Sequence, residues 1–573
     1  MKKNQLVVFI LSLALILFFW KNTLLNFDNS LYDWNDSLYT IWIIENNLGH
    51  FKNLNLQSLY DTSAMYSFKY SLSFAEHLFF PSLLLLPISY VVDNPIALLN
   101  FWLIINHLLV YVSSYVLIKS LAKNTWAALI AAFYFSFSPY FISQLGHIHM
   151  ITSWPLMLSL HALLQMDATQ KTRHAVFAGM LAGLQFTTTM YLGIMNLVVI
   201  GLYLIADLTL TKNWQKVLQR LAIILSAFLI IAAISIYGYL AAQKTYSGNR
   251  ELSEYILYSA HLTDYLFTDK SQNSLLYQHA LVKKWNNYNH HVIGERAVFI
   301  GFLPSLLLIY FFLKIKPTKQ NIKIFLTFNK KTFFIILLLI TGFIFSLGPR
   351  LNVNGAYVHL PLPYLFLLKY LPLSSALRAL GRWYFLVCLG TTLTLGLAIA
   401  RLLNQLQDRV QRLLIAILLI IITVVEFFPQ PLPAVAKTWW HPADQYLKTQ
   451  LCSEKKAAIL EYPFVYRSQD ANLIKDLQYK TNILLTSTQH DCQVLSGFSG
   501  YEPLRYQQIK KQLDDDLTSR DAFTLIKELN LSYLKLNKFA LFSEEIQPLM
   551  QTLKQLGFQS IYEDHQVVIY QVP

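Results

Sequence analysis

The chain has 573 residues, of which 55% are hydrophobic and 14% charged, and its mean hydropathy is +0.39. Soluble domains carry roughly 25% charged residues, so this composition excludes an ordinary soluble protein and points to a polytopic membrane protein with polar loops. The net charge of +14 comes without a basic stripe or recognition motif, which excludes nucleic acid as a partner; Lys and Arg are read instead as anchors at cytoplasmic helix ends.

In chain order, the first apolar run is LVVFILSLALILFFW at 6–20. No small-residue cleavage site follows it, so it is read as an uncleaved span rather than a signal peptide. Met1-Lys2-Lys3 places its N-terminus inside. Residues 21–95 are then a long outer loop. Early in it, LYDWNDSLYTIWIIENN at 31–47 carries Asp33, Asp36 and Glu45. The apolar stretch at 78–92 is short and holds Pro81 and Pro87, so it is expected to lie at or dip into the outer interface; a full span is the alternative.

Further spans are expected at 96–118, 125–142, 150–166, 174–189, 191–209, 221–241, 297–313, 333–348, 383–401 and 411–429, which makes eleven with the first. Charge checks the count. The inside loops hold Lys119 and Lys123; Lys171 and Arg173; Lys212, Lys216 and Arg220; Lys314, Lys316, Lys319, Lys323, Lys330 and Lys331; and Arg401, Arg409 and Arg412. Every one is basic, as cytoplasmic loops tend to be. Reading 78–92 as a span would turn several of these clusters outward. The long segments 21–95, 242–296 and 349–382 are then outside, as is the tail from about 430.

The tail opens with a proline-rich linker, PQPLPAV. Beyond it, KKAAILEYPF reads as a strand, SRDAFTLIKELNLSYLKL as helix then strand, and DHQVVIYQV as a terminal strand. The expectation is an α-helical polytopic domain over 1–430 and a small α/β extracytoplasmic domain over 431–573. Cys388 sits in an apolar run. Cys452 and Cys492 are either a disulfide of an outside domain or two thiols, and no CxxC or Cys/His zinc spacing occurs.

Several stretches resemble the GT-C superfamily of polyprenyl-phosphate-sugar-dependent glycosyltransferases, in particular a bacterial branch of large integral-membrane members. They are DWNDSLYTIW, FAEHLFFPSLLLLP, YFSFSPYFISQLGHIHM, ELSEYILYSAHLTDYLF, GERAVFIGFLPSLLL, FSLGPRLNVNG, LPLPYLFLLKYLPLSSALRALGRW and LSGFSGYEP. The resemblance runs across nearly the whole chain. It implies a fold of about eleven spans with an outer C-terminal domain, in a bacterial inner membrane. It implies a polyprenyl-phosphate-linked sugar as donor, membrane lipid as neighbour, and a glycan, lipid or protein as acceptor.

The resemblance also implies a general base early in the first outer loop. The branch pattern is Gly-Asp with Trp six residues after the Asp; here Asp36 stands six before Trp42, with Asn35 in place of the Gly. A carboxylate at a wet interface accepts a hydrogen bond, and partial burial raises its pKa toward the working range of a base. Asp33 is the second candidate. Helix capping near Ser37 competes for both acids.

Glu76 and His77, in AEHL, are candidate acceptor-site or, with Asp36, divalent-cation groups; an interfacial anchor is the plain alternative. His147 and His149 are candidates for a phosphate or sugar, or simply interfacial. Arg378 and Arg382 are spaced i, i+4, which puts both guanidiniums on one face of a helix and suits a lipid-linked phosphate. Snorkelling to headgroups is the alternative. Arg250 and Arg296 are further phosphate candidates, and Tyr258 and Asp264 candidate acceptor groups, with Glu254 one turn before Tyr258.

No P-loop, GxGxxG or HExxH motif is present, which disfavours an ATP-driven transporter and a membrane zinc protease. A flippase for lipid-linked glycans predicts ionisable groups at the bilayer midplane. The span interiors instead carry mainly His107, His161 and Asn196. A non-catalytic membrane protein is the third reading.

Overall fold

The computed structural model describes residues 3–246, 250–269, 272–287, 294–314, 329–353, 355–370, 376–433, 435–436, 440–453 and 457–573. The inside-loop residues Lys316, Lys319 and Lys323 lie outside them. All eleven expected spans fall on helices. Six helices are long and apolar enough to cross a membrane: Pro95–Ala122, Thr125–Ser143, Met190–Thr209, Trp214–Thr245, Leu380–Gln405 and Arg409–Phe427. The other five are shorter: Lys3–Phe19, Trp154–Thr169, Thr172–Thr188, Lys330–Ser346 and Phe302–Leu313. The 78–92 stretch is helical only over Phe79–Leu85 and a turn at Ile88–Tyr90, too short to span.

The chain divides into two compact units. The first comprises Met1–Asn22, Leu103–Ala233 and Asn249–Leu432; the second comprises Thr23–Trp102, Ile234–Gly248 and Pro433–Pro573.

In the first unit, local sequence sets the helix ends. The Asn124 side chain accepts from Ala127 N to open Thr125–Phe137, and Asp408 accepts from Val410 N and Gln411 N to open Arg409–Phe427. Ser138-Pro139 ends one helix and starts the next, because Pro suits the first helical position. Gly179 and Gly183 let Thr172–Thr188 approach Trp214–Thr245. A Cβ on Gly179 would lie 2.2 Å from Ile224 O, the small-residue packing that membrane helices favour. His107 is fully buried but satisfied: Trp20 Nε1 donates to its Nδ1 at 3.1 Å, and its Nε2 lies 3.0 Å from Ser136 O.

Two of the basic residues expected inside prove to be ion-paired. Arg220 Nη1 lies 3.0 Å from Asp167 and 2.6 Å from Asp207, and Lys330 Nζ lies 2.5 Å from Asp167 and 2.9 Å from Asp207. Four helix ends are tied by this one network, and the pairing removes the cost of burying each charge alone.

The second unit is built on a five-stranded mixed sheet. Its order is Gln493–Val494, Ala458–Tyr462, Tyr533–Asn537, Val567–Gln571 and Gln559–Glu563. Ala458–Tyr462 runs parallel to both its neighbours, which the helical crossovers Leu473–Gln489 and Arg520–Glu528 permit. It is buried along its whole length, as a strand covered on both faces must be. Cys452 and Cys492 are disulfide-bonded, with Cα atoms 5.3 Å apart.

The first-loop residues are part of this unit's core. Ala64 forms a bridge with Val494, Val494 N donating to Ser63 O at 2.7 Å, so the loop extends the sheet edge. Ser30–Leu31 pairs antiparallel with Val435–Ala436. Met65, Phe68 and Phe74 pack into the same cluster as Leu460, Leu495 and Tyr506.

Candidate functional site

In the first unit the structure gathers most of the polar residues singled out from the sequence. Arg382 is 5% exposed and fully engaged. It donates Nε–H to Glu295 Oε2 at 2.7 Å and Nη2–H to Oε1 at 2.6 Å, a two-pronged pair. Its Nη1 lies 3.1 Å from His149 Nε2. A guanidinium only donates, so this nitrogen is the acceptor and the His149 proton sits on Nδ1. Burial, then the Arg382 charge, pushes the His149 pKa well below its ordinary value, so the ring is neutral. His147 Nε2 lies 3.3 Å from Glu295 Oε1. Burial alone would raise the Glu295 carboxyl, but Arg382 and then His147 outweigh it and hold it down to about 2.

Arg378 and Arg382 do not share a helix face. The helical turn starts at Leu380, so Arg378 lies in the irregular segment before it. The i, i+4 expectation fails because Gly381 folds this segment against the loop containing Glu295: Gly381 N donates to Tyr258 O at 2.8 Å, and a Cβ there would lie 2.4 Å from Glu295 O. Both arginines still join one cluster. Arg378 stacks on the Tyr258 ring, 4.9 Å from its centroid, and lies 3.6 Å from Glu254 Oε1. Arg250 Nη1 donates to that same Oε1 at 2.9 Å. The Arg378 side chain is 33% exposed, against 6% for Arg382. Of these two arginines, Arg378 is therefore the more open to solvent. Arg296 and Asp264 are buried beside each other, Arg296 donating to the His261 ring and Asp264 Oδ2 accepting from His261 N at 2.8 Å.

In the second unit, Asp33 does the work of a cap. Its Oδ1 accepts from Asn35 N at 2.7 Å and Asp36 N at 3.1 Å, and its Oδ2 accepts from Ser37 Oγ at 2.9 Å. These bonds satisfy donors at the start of Asp36–Lys52. Burial, then the neighbouring Asp36 charge, raises the Asp33 pKa. Asp36 sits half-buried in the first turn of that helix, and its partner at six residues, Trp42, is fully buried. Glu76 and His77 lead into the next short helix. His77 is fully buried, its Nδ1 2.9 Å from Tyr239 OH, and its carbonyl accepts from Asn47 Nδ2 at 2.7 Å. Among the described residues no three His, Cys, Asp or Glu side chains gather as metal ligands.

The model of a domain of unknown function, DUF6311, matches residues 49–426. The chain belongs to the DUF6311 family. No curated protein matches the DUF6311 chain in sequence. Among solved structures, arabinofuranosyltransferase AftD from Mycobacteria superposes with a TM-score of 0.58 at 14% identity, over 100% of this chain and 40% of that chain. The DUF6311 chain thus spans less than half the length of AftD. Oligosaccharyltransferase AglB from Archaeoglobus fulgidus, in complex with an inhibitory peptide and a dolichol-phosphate, gives 0.48 at 14% identity over 100% and 74%. ArnT from Cupriavidus metallidurans bound to undecaprenyl phosphate gives 0.45 at 11% over 100% and 99%. The DUF6311 chain is a multi-pass membrane protein with the GT-C fold and an α/β domain near its C-terminus, as the sequence resemblance implied.

Sequence reasoning missed Glu295, the hub of the DUF6311 arginine cluster, although it stands beside Arg296 in GER. It also missed Tyr191, whose ring lies 4.8 Å from the Arg382 guanidinium and whose hydroxyl accepts from Ala379 N at 2.9 Å. The available signal was the excess of outer-loop arginines over acids near them: two guanidiniums so close to a span call for a carboxylate.

Proposed function

We propose that this protein is an inverting glycosyltransferase that moves a sugar from a polyprenyl-phosphate donor to a cell-envelope acceptor on the extracytoplasmic face. The observation that carries the reading is the division of labour among the arginines in a GT-C fold. Arg382 is spent on Glu295 and His149, while Arg378, with Arg250 beside it, keeps a guanidinium edge for a phosphate.

In this reading Asp36 is the general base. Asp33 caps the helix, and Asp36 stands half-buried in its first turn, six residues before Trp42. Asp36 takes the proton of the acceptor hydroxyl as that oxygen attacks the anomeric carbon. The bond from that carbon to the phosphate oxygen breaks on the opposite face, and polyprenyl phosphate leaves with the electron pair. The charge left on that phosphate calls for cationic partners, and within the first unit Arg378 and Arg250 are the guanidinium groups whose chemistry suits a phosphate. The N-terminus is cytoplasmic and the tail extracytoplasmic; the basic inside loops support this topology, and so does the Cys452–Cys492 disulfide, since such bonds persist in oxidising compartments.

The test is transfer from a labelled polyprenyl-phosphate sugar in membranes. Asp36→Asn removes the proton acceptor while keeping shape, so transfer should fall by about 10²–10⁴ with donor lipid still bound. Full activity in that variant would remove Asp36 from the mechanism.

A further inference from the structure

The second unit holds a cavity of about 400 Å³, within the size range of small-ligand sites. Its lining is unusual for a domain interior. At its base Lys535, 4% exposed, lies 2.6 Å from Asp444 and 3.0 Å from Glu461, both 1% exposed. Asn537 donates to Glu461 Oε2 at 3.2 Å and to Tyr479 OH at 3.0 Å. Two carboxylates against one ammonium leave this floor negative or, with one acid protonated, neutral. Replacing such a buried group with apolar side chains is often neutral or favourable for stability, so its presence beside a cavity needs a reason other than folding.

The walls are aromatic and amide. Trp34 and Trp440 both line it, with Trp34 fixed by donating Nε1–H to Val435 O at 2.6 Å. Phe539, 41% exposed, and Tyr466 also line the cavity. The helix Leu473–Gln489 presents Lys475, Gln478, Tyr479 and Asn482 to it, spaced three and four residues apart and so on one face. Asn482 is half-buried, and its amide has no hydrogen-bond partner among the described residues. Lys475 pairs with Asp470 and both side chains are open to solvent, at 40% and 56% exposed, so water screens its charge.

We infer that this cavity binds a sugar ring without negative charge. Ring C–H faces pack on flat aromatic surfaces, while hydroxyls are satisfied in pairs by amides, carboxylates and ammonium groups. The cavity offers both within one space. The floor leaves no ammonium for the anion of a uronic acid or sugar phosphate, since Lys535 is already paired with Asp444 and Glu461, so a charged sugar would lose hydration there without gaining a cation. As the place where the acceptor glycan is held, the site rests on the transferase reading above; as a sugar site it stands without it.

The experiment measures binding to the full chain in detergent with no donor lipid present. Tryptophan fluorescence and a thermal shift are followed while methyl glycosides and short neutral oligosaccharides are titrated in, each beside its uronic-acid counterpart. At least one neutral sugar should bind, at least tenfold tighter than its acid. Trp440→Ala and, on the half-buried helix face, Asn482→Ala should each weaken it by tenfold or more while the unliganded melting temperature stays put. Binding by no neutral sugar, equal binding of the acids, or unchanged affinity in both variants would overturn the assignment. Binding that survives in a protein with no transfer activity would uphold the cavity and count against the transferase reading alone.

Discussion

Replacing Glu295 by Gln tests whether the arginine cluster is an electrostatic unit. The substitution keeps volume and one acceptor oxygen but deletes the charge opposite Arg382, which is 5% exposed. Two bonds of 2.6–2.7 Å and the His147 contact at 3.3 Å depend on it. The carboxyl is held at about 2 against an ordinary 4.5, a gap worth about 3 kcal/mol. Breaking one half of a buried pair independently gives about 3–5 kcal/mol. The sign follows from a depressed folded pKa: the contribution is complete above pH 4.5 and is lost as pH falls toward 2. At pH 7, Glu295→Gln should therefore lose about 3 kcal/mol in chemical denaturation of the detergent-purified protein. Arg382→Met should cost a similar amount, and the double variant clearly less than the two together. Single-variant costs that add within about 0.5 kcal/mol would refute the reasoning, because independent residues behave that way.

Four further outcomes are expected. Arg378→Lys should weaken donor-lipid binding with little change in stability, because an ammonium lacks the two-pronged geometry, whereas Arg382→Lys should show up first as lost stability; equal donor affinity in Arg378→Lys and wild type assigns Arg378 to headgroup anchoring. Asp33→Ala should lower stability by about 1 kcal/mol in denaturation at pH 7, whereas Asp33→Asn, whose amide oxygen still accepts from Asn35 N and Asp36 N, should cost much less; equal costs would remove Asp33 as the cap. Burial raises Glu45 to about 7, so its stabilising effect is present below 4.5 and is lost as pH rises through 7; Glu45→Gln should flatten the pH–stability curve between those values, and an unchanged curve sinks the claim. A C-terminal reporter active only in the cytoplasm should stay silent in cells, and an active one would reverse the proposed topology.

The parts of this molecule that were legible in the sequence are those set by local rules. Apolar run length located all eleven helices, and Asn124, Pro139 and Asp408 mark helix starts by their own chemistry. The arginine motif was legible as a cluster of like charges, but not its neutraliser: Glu295 stands 87 residues from Arg382, and no periodicity links them. The i, i+4 rule misplaced Arg378 because it presumes a helix, whereas Gly381 allows an approach to Glu295 O that a side chain would forbid. The joining of the first loop to the tail was hidden for a related reason. Its sheet contact is a single bridge at Ala64, too short to leave an alternating pattern, and Met65, Phe68 and Phe74 resemble any interfacial apolar residues until Leu460 and Tyr506 are seen beside them. The same holds for Asp33 and Asp36. Sequence offered two acids and two jobs, capping and catalysis, and only the direction of the Asp33 oxygens, toward Asn35, Asp36 and Ser37, assigns the first job to Asp33; the second is decided at Asp36 by the transfer assay on Asp36→Asn.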